Sequence, residues 1–386
     1  MSREFDFLVF IGRFEPLHNG HVHIINKALQ LADRLILLIG SPNVAPSPRN
    51  PWTYQTRVKM IRDSCASGAI SDGNSVIIQT DDLPYGNSYA NYPAIRIVTA
   101  PLPDVPYNDA EWINQVHNIV HDVVIRSTND HPAVTIKGTS DSKIGLIGYS
   151  KDATSYYLKK FPKWRSVNVN DQHAVLASTD IRNQFFQRAP ILPDLHLTPK
   201  AVCKILVDYM FTEDFKTILA ETEFVKKYKD SWKSAPFPPT IACVDAVVVQ
   251  SGYILLGTRK YVPGKGLLCL PGGHVNQDEF FRDAAIRELK EETRISDDKG
   301  EIPPAMLQSF ITHERLFDDP NRSQRGRVMT MAYKFELPER KELFKVRGDD
   351  DVEHAKWYQV SELKQNMFYE DHSAIISEMT GMKIPL

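Results

Sequence analysis

Hydrophobic and polar positions alternate along the chain in two different rhythms. In the first half, Phe5–Ile11 and Arg34–Gly40 are nearly unbroken apolar runs, as expected of strands covered on both faces of a parallel sheet. Shorter strand-like runs follow at Val76–Gln79, Ile95–Thr99, Val134–Lys137 and Lys143–Ile147. Between them, Val22–Ala32, Thr53–Ser64 and Ala110–Arg126 carry apolar residues at helical spacing. Strand, helix, strand in this order predicts right-handed crossovers and a doubly wound α/β fold. The second half reads differently. Ile241–Val249 and Tyr253–Lys260 flank Gln250-Ser251-Gly252 and predict a β-hairpin, and Val328–Leu337 predicts a further strand. Between the halves, helices are expected at Ala201–Asp208 and Phe211–Lys229. Prolines at 190, 193, 236, 238 and 239 bound this stretch. The predicted organisation is therefore a first domain over 1–188, a helical, proline-bounded linker over 189–239, and a second domain over 240–386.

Composition changes this picture little. The chain has 386 residues, 42% hydrophobic and 24% charged, which suits two buried cores. A formal net charge of −2 offers no basic footprint for nucleic acid. Cys65, Cys203, Cys243 and Cys269 form no C-x-x-C pair, which argues against a zinc site or disulfide framework. No apolar run reaches the ~18 residues of a membrane span, and the first residues do not read as a secretory leader. A cytoplasmic protein is expected, and a homo-oligomer is compatible with the sequence.

The chemistry of the first half centres on Gly12-Arg13-Phe14-Glu15-Pro16-Leu17-His18-Asn19-Gly20-His21, which lies between the first strand and a helix start. A helix start presents unpaired N–H groups and a positive dipole end, a natural phosphate site. His18 and His21 are spaced to reach one side of that turn, where they would stabilise charge on phosphoryl oxygens. Neither a G-x-G-x-x-G fingerprint nor a P-loop is present. The decamer resembles the H-x-G-H signature of nucleotidyltransferases, most nearly the archaeal-type nicotinamide mononucleotide (NMN) adenylyltransferases, with Glu15 where Gln is expected. The resemblance implies a Rossmann-like domain binding ATP and NMN, with Gly12, Arg13 and Phe14 at the substrate. Downstream, Ser178-Thr179-Asp180-Ile181-Arg182 resembles the element that closes such domains, implying Ser178 and Thr179 at the outer phosphates and a catalytic Arg182. Asp104, Asn108 and Trp112 resemble the family's nicotinamide and ribose contacts, although Trp112 equally suits a core position. Arg57 offers a guanidinium to phosphate or else belongs to a solvated helix face, and Lys151, in the family-like stretch Ile147–Asp152, is a candidate for a further phosphate contact.

From Gly273 the second half fits the Nudix box: Glu279 after five residues, then seven more to Arg287-Glu288-Leu289-Lys290-Glu291-Glu292. At ~6–7% usage per position, such a coincidence is expected in well under one chain in ~10,000. Glu288, Glu291 and Glu292 place like charges on one face of a helix end, where each pair costs ~0.2–0.5 kcal/mol and the dipole adds ~0.3–1 kcal/mol. A hard divalent cation, Mg²⁺ or Mn²⁺, reverses both penalties. The three glutamates are the expected metal ligands, with Glu291 catalytic, Arg287 orienting one of them and Glu279 in the outer shell. Arg294 stands where the box usually has a helix-ending Gly, and a non-Gly residue in a left-handed cap costs ~1 kcal/mol. Arg325-Gly326-Arg327 and the later Asp349-Asp350-Asp351 stretch resemble Nudix ADP-ribose pyrophosphatases, which implies an α/β/α sandwich around a mixed sheet and Arg325 at the substrate.

Both motif sets in this order resemble bifunctional NMN adenylyltransferase/Nudix hydrolases. The implied activities are NAD synthesis from ATP and NMN and Mg²⁺-dependent cleavage of ADP-ribose, with no nucleic acid or membrane partner. Three rivals follow from the same residues. In the first the Nudix half senses ADP-ribose without cutting it, in the second a regulator needs a basic DNA-reading helix that is missing, and in the third another phosphorylated acceptor would not call for Trp112.

Overall fold

A computed structural model describes residues 3–73, 78–79, 95–129, 142–149, 160–169, 177–187, 197–348 and 352–385. The strand expected at 134–137, Lys151 and Asp349–Asp351 lie outside the described residues. Two compact units appear, Met1–Ile218 and Leu219–Leu386.

In the first unit the elements run β1 (Phe5–Gly12), α1 (Asn19–Leu31), β2 (Ala32–Gly40), α2 (Tyr54–Ala66), β3 (Ile78–Gln79), β4 (Ile97–Leu102) and α3 (Asp109–Asn129). They continue with β5 (Ile144–Gly148), β6 (Arg165–Asn168), α4 (Ser178–Gln187), α5 (Lys200–Tyr209) and α6 (Glu213–Ser231), and the division between units falls inside α6. The sheet order is β3-β4-β2-β1-β5-β6, with every pairing parallel. This is the expected doubly wound arrangement. Its direction switches beside β1, so the crevice for a ligand opens past the carboxyl end of that strand. The unbroken apolar runs are explained by cover on both faces. Phe7, Val9, Ile36 and Leu38 pack against Val116, Val120 and Val124, which recur every four residues along α3. The short strand β6, with its polar Arg165-Ser166 start, was not anticipated, because an edge strand shows no apolar run.

Residues after 197 belong to the packing and are not a bare tether. Val202, Cys203 and Leu206 of α5 are buried, Tyr209 donates to Pro51 O at 3.2 Å, and Phe215 meets Phe185 and Phe186 edge-on and stacked.

The second unit contains β7 (Thr240–Gln250), β8 (Tyr253–Arg259), β9 (Leu268–Cys269), β10 (Gly272–His274), α7 (Phe281–Thr293), β11 (Ser296–Asp297), β12 (Gly300–Glu301), α8 (Pro304–Ser309), β13 (Ile311–Phe317), β14 (Arg327–Glu336), β15 (Val352–Gln359) and α9 (His372–Thr380). Its sheet order is β13-β14-β7-β8-β15, with β10 paired to β7. β7 and β14 are parallel while the predicted β7–β8 hairpin is antiparallel, so the sheet is mixed. Val244, Ala246 and Val248 alternate toward α7, where they meet Ala284, Ala285 and Leu289.

α7 ends on Arg294 at φ 43° and ψ 39°, a left-handed cap whose N–H donates to Lys290 O. The ion pair from Arg294 to Glu301 is 3.8 Å long and half exposed, so it offsets little of the cap's cost. Arg294→Gly is therefore expected to stabilise the chain by ~1 kcal/mol, raising the melting temperature by ~2–4 °C for a unit of this size. A lower melting temperature in a thermal scan would contradict this.

Candidate functional sites

The turn after β1 is held by buried charge. Phe14 adopts φ 55°, a left-handed conformation that is strained for a non-glycine residue. Its ring lies edge-on to Phe10 and His21, at 5.3 and 4.9 Å between centroids. A Cβ on Gly12 would stand 3.1 Å from the Phe14 ring, so glycine lets that ring fold back over the strand end. Glu15 is fully buried, 3.4 Å from Arg57 Nε, and accepts from Trp52 N–H. Burial pushes its carboxyl up to about 7, against the pull of Arg57, Arg13 and Arg182.

His18 caps α1. Its Nδ1 accepts from His21 N–H, and His21 Nδ1 accepts from His18 N–H, at 3.3 and 3.4 Å. The rings stack with centroids 3.7 Å apart. Because each Nδ1 is an acceptor, each neutral ring carries its proton on Nε2. Burial, and then the neighbouring His18, hold the pKa of His21 well below the usual 6.5. The pair is thus set up to donate from Nε2–H. The expected row of unpaired helix amides is only partly present: Asn19 N–H donates to Leu197 O, and His21 N–H is taken by His18. Anion binding here rests mainly on the imidazoles.

Around this turn the structure gathers several of the expected residues. Ser178 Oγ donates to Pro16 O, and Arg182 donates to Glu15 O and to Thr179 Oγ1. The start of α4 therefore lies against the histidine turn. Arg13 reaches Asn50 Oδ1 at 3.0 Å. Burial, Arg49 and Arg182 lower its pKa to about 10, while Glu15 and the exposed Asp104 oppose that shift. Arg57 needs a correction. It is not on a solvated face: it donates to the main-chain oxygens of Arg13, Gly40, Ser41 and Thr53 and is 1% exposed. It joins the ends of β1 and β2, where carbonyls leaving the sheet need donors. Asn108 also has a local task, accepting from Glu111 N–H as the cap of α3. Trp112 leans on Phe161 at the edge of the core, with centroids 6.0 Å apart.

The raised carboxyl of Glu15 has a consequence for stability. Its neutral form is favoured in the folded chain, so its contribution is complete below the ordinary carboxylate range and is lost as pH rises through about 7. Glu15→Gln keeps this site neutral at every pH. The melting temperature of the wild type is expected to fall relative to Glu15→Gln between pH 4.5 and 7. Parallel curves would refute the buried-acid reading.

In the second unit the box glycines bring the β10 strand close to the glutamate helix. A Cβ on Gly273 would stand 2.5 Å from Glu288 Oε1, and Gly272 N–H donates to Glu292 Oε2 at 2.9 Å. Arg287 organises the rest. It grips Glu279 through Nε and Nη2 at 3.0 and 2.7 Å, and reaches Glu288 at 2.8 Å and Glu291 at 3.0 Å. It was expected to orient one of the glutamates, and it binds three of them. Its hydrogen bond to Glu279 raises the arginine's pKa and lowers that of Glu279. Among the described residues, no group of three or more His, Cys, Asp or Glu side chains is gathered as a metal cage. Glu288 and Glu291 turn to Arg287, and Glu292 turns to Gly272. The donor set still suits a hard cation, since it consists of carboxylates on adjoining turns of one helix beside a glycine strand that leaves them room.

Sequence reasoning missed a buried polar cluster behind β10. Arg322 binds Asp371 through two nitrogens, both at 3.0 Å, and lies 3.8 Å from Asp245. Arg325, expected at the substrate, lies beside Glu370 with its side chain 18% exposed. An Asp directly before a helix, such as Asp371, reads as a cap, and nothing local points to Arg322.

Parallel sheet and stacked histidines define a nucleotidyltransferase-type first unit, and comparison with known proteins makes this specific. Residues 9–137 match the Cytidylyltransferase-like family, and residues 239–379 match the NUDIX domain. The nicotinamide/nicotinic acid mononucleotide adenylyltransferase of Acinetobacter baylyi is 31% identical over 187 residues, covering 48% of this chain and 77% of that protein. An ADP-ribose pyrophosphatase of Methanocaldococcus jannaschii is 28% identical over 180 residues, covering 47% and 93%. A crystal structure of a bifunctional NMN adenylyltransferase/ADP ribose pyrophosphatase from Francisella tularensis, complexed with AMP and a manganese ion, superposes with a TM-score of 0.78. It is 29% identical, covering 98% of this chain and 99% of that one. The chain belongs to the mononucleotide adenylyltransferase family and carries a NUDIX domain in the same polypeptide.

Proposed function

We propose that the chain is a bifunctional enzyme of NAD metabolism: its first unit joins ATP and NMN into NAD and pyrophosphate, and its second cleaves ADP-ribose to AMP and ribose 5-phosphate. The observation that carries the first activity is the stacked pair His18–His21 at the start of α1. An oxygen of the NMN phosphate attacks the α-phosphorus of ATP in line, and the bond to the bridging oxygen breaks to release pyrophosphate. No protein nucleophile is needed. The two Nε2–H groups donate to the phosphoryl oxygens as charge builds there, with Gly12, Arg13 and Phe14 shaping the pocket. Ser178, Thr179 and Arg182 lie against the same turn and suit the outer phosphates. Arg57 supports the turn by donating to Arg13 O, the charge of Asp104 acts on Arg13 and Arg57, and the reading of Asp104, Asn108 and Trp112 as nicotinamide and ribose contacts rests on family resemblance.

In the second unit Glu288, Glu291 and Glu292 would hold Mg²⁺ or Mn²⁺. Such a cation, when bound, polarises the diphosphate and makes bound water more acidic. Arg287 keeps Glu288 and Glu291 pointed, Glu279 fixes Arg287, and Gly272 N–H orients Glu292. A second reading keeps the synthase and makes the NUDIX domain an ADP-ribose sensor. The carboxylates' turn toward Arg287 favours it. Incubation of the full chain with Mg²⁺ and ADP-ribose separates the two: AMP release supports the hydrolase, and binding without release supports the sensor. None of the four cysteines forms a disulfide, and no helix among the described residues is long and apolar enough to cross a membrane.

A further inference from the structure

We infer that the acidic turn Glu370–Asp371 is a positioning element for the second site. It locks the loop ahead of β14 so that Arg325, and not Arg322, is the guanidinium offered to the diphosphate of a nucleotide. This rests on the reading of that unit as an ADP-ribose site. The two arginines start from similar positions on one polar loop but are treated oppositely. Asp371 takes Arg322 with both carboxylate oxygens, Asp245 lies behind it, and the Arg322 side chain is 4% exposed. That guanidinium is neutralised by two carboxylates and closed to a ligand.

Glu370 works on the neighbouring residues. Its Oε1 accepts from Ser323 Oγ at 2.8 Å and from Gln324 N–H at 3.3 Å, which pins the loop backbone. Its Oε2 stands 4.0 Å from Arg325 Nη2, the outer limit of an ion pair. A contact that loose orients Arg325 and still allows exchange for a phosphate oxygen. Glu370 itself sits at φ 46°, a left-handed conformation that a glutamate keeps only where its surroundings fix it. The clamp also adjoins the box. A Cβ on Gly272 would stand 2.8 Å from Asp245 Oδ1, and the N–H of the same Gly272 holds Glu292. The arginine loop and the glutamate helix are thus braced against one strand.

The test is a double-mutant cycle on the full chain, read as the dissociation constant for ADP-ribose by calorimetry in EDTA, where no bond is cleaved. Arg325→Ala is expected to weaken binding by about 10-fold and Glu370→Gln by about 5-fold. The double variant should be no weaker than Arg325→Ala alone, because Glu370 acts only through that arginine. Ser323→Ala, a gentler change that loosens the same clamp, should weaken binding in the wild type and not in the Arg325→Ala background. Equal effects of Glu370→Gln in both backgrounds would overturn the inference, since a merely structural role adds independently. So would wild-type affinity in Arg325→Ala. Absence of ADP-ribose binding by the wild type would instead remove the reading of the site itself.

Discussion

Alanine at His18 or His21 is expected to lower NAD formation at least ~100-fold, as loss of one preorganised donor does where charge develops on oxygen. That factor corresponds to ~2.7 kcal/mol of transition-state stabilisation. The structure separates this loss from simple unfolding. Each ring also accepts a backbone N–H at the start of α1, so each substitution removes one cap contact, typically ~1 kcal/mol. A folded domain tolerates that. The variants should therefore keep a cooperative melt slightly below the wild type while turnover collapses. The neutral state of His21 adds a pH signature. With its pKa held well below 6.5, acidification toward pH 6 should leave this donor unprotonated on Nδ1. Steady-state assays of both variants decide, and a near-normal rate in both would take the histidine turn out of the mechanism.

The second large effect is expected at the glutamate helix. Glu291→Gln and Glu292→Gln should each reduce AMP release from ADP-ribose at least ~100-fold, because each removes an anionic oxygen from the proposed cation site, whose charge stabilisation is worth several kcal/mol. Glu291 is the cleaner probe of function. It is half exposed, and its 3.0 Å contact with Arg287 is of the kind that contributes ~0–1 kcal/mol. Its repulsion of Glu288 costs ~0.2–0.5 kcal/mol. These nearly cancel, so Glu291→Gln should leave the melting temperature almost unchanged while activity disappears. Glu292 is buried against Gly272 N–H, so its variant should lose stability as well. Hydrolysis at the wild-type rate by Glu291→Gln would exclude that residue from the site.

Much of this arrangement is legible in residue order, and the exceptions have physical causes. Buried parallel strands announce themselves because both faces are apolar, whereas β6 is polar at the sheet edge and does not. Arg57 was readable and was missed: Tyr54, Arg57, Val58 and Ile61 fall on one face of α2, and all are buried. A cation on an apolar stripe points inward and needs acceptors there, which the carbonyls at the ends of β1 and β2 supply. Asn108 followed by Glu111 is likewise a helix-capping spacing, and it caps α3. The left-handed Arg294 was legible because the box leaves no other way to end the helix. The clamp on Arg322 was not, since Asp371 lies 49 residues away and only the tertiary fold joins them.

The account stands on two phosphate-handling centres with separate chemistries on one chain. Phosphorus NMR of full-length variants tests this most directly, with ATP and NMN in one sample and ADP-ribose in another, both with Mg²⁺. The His18→Ala/His21→Ala double variant should stop forming NAD and pyrophosphate yet still release AMP and ribose 5-phosphate, and Glu291→Gln should do the reverse. Either variant abolishing both sets of products, or neither, would contradict it.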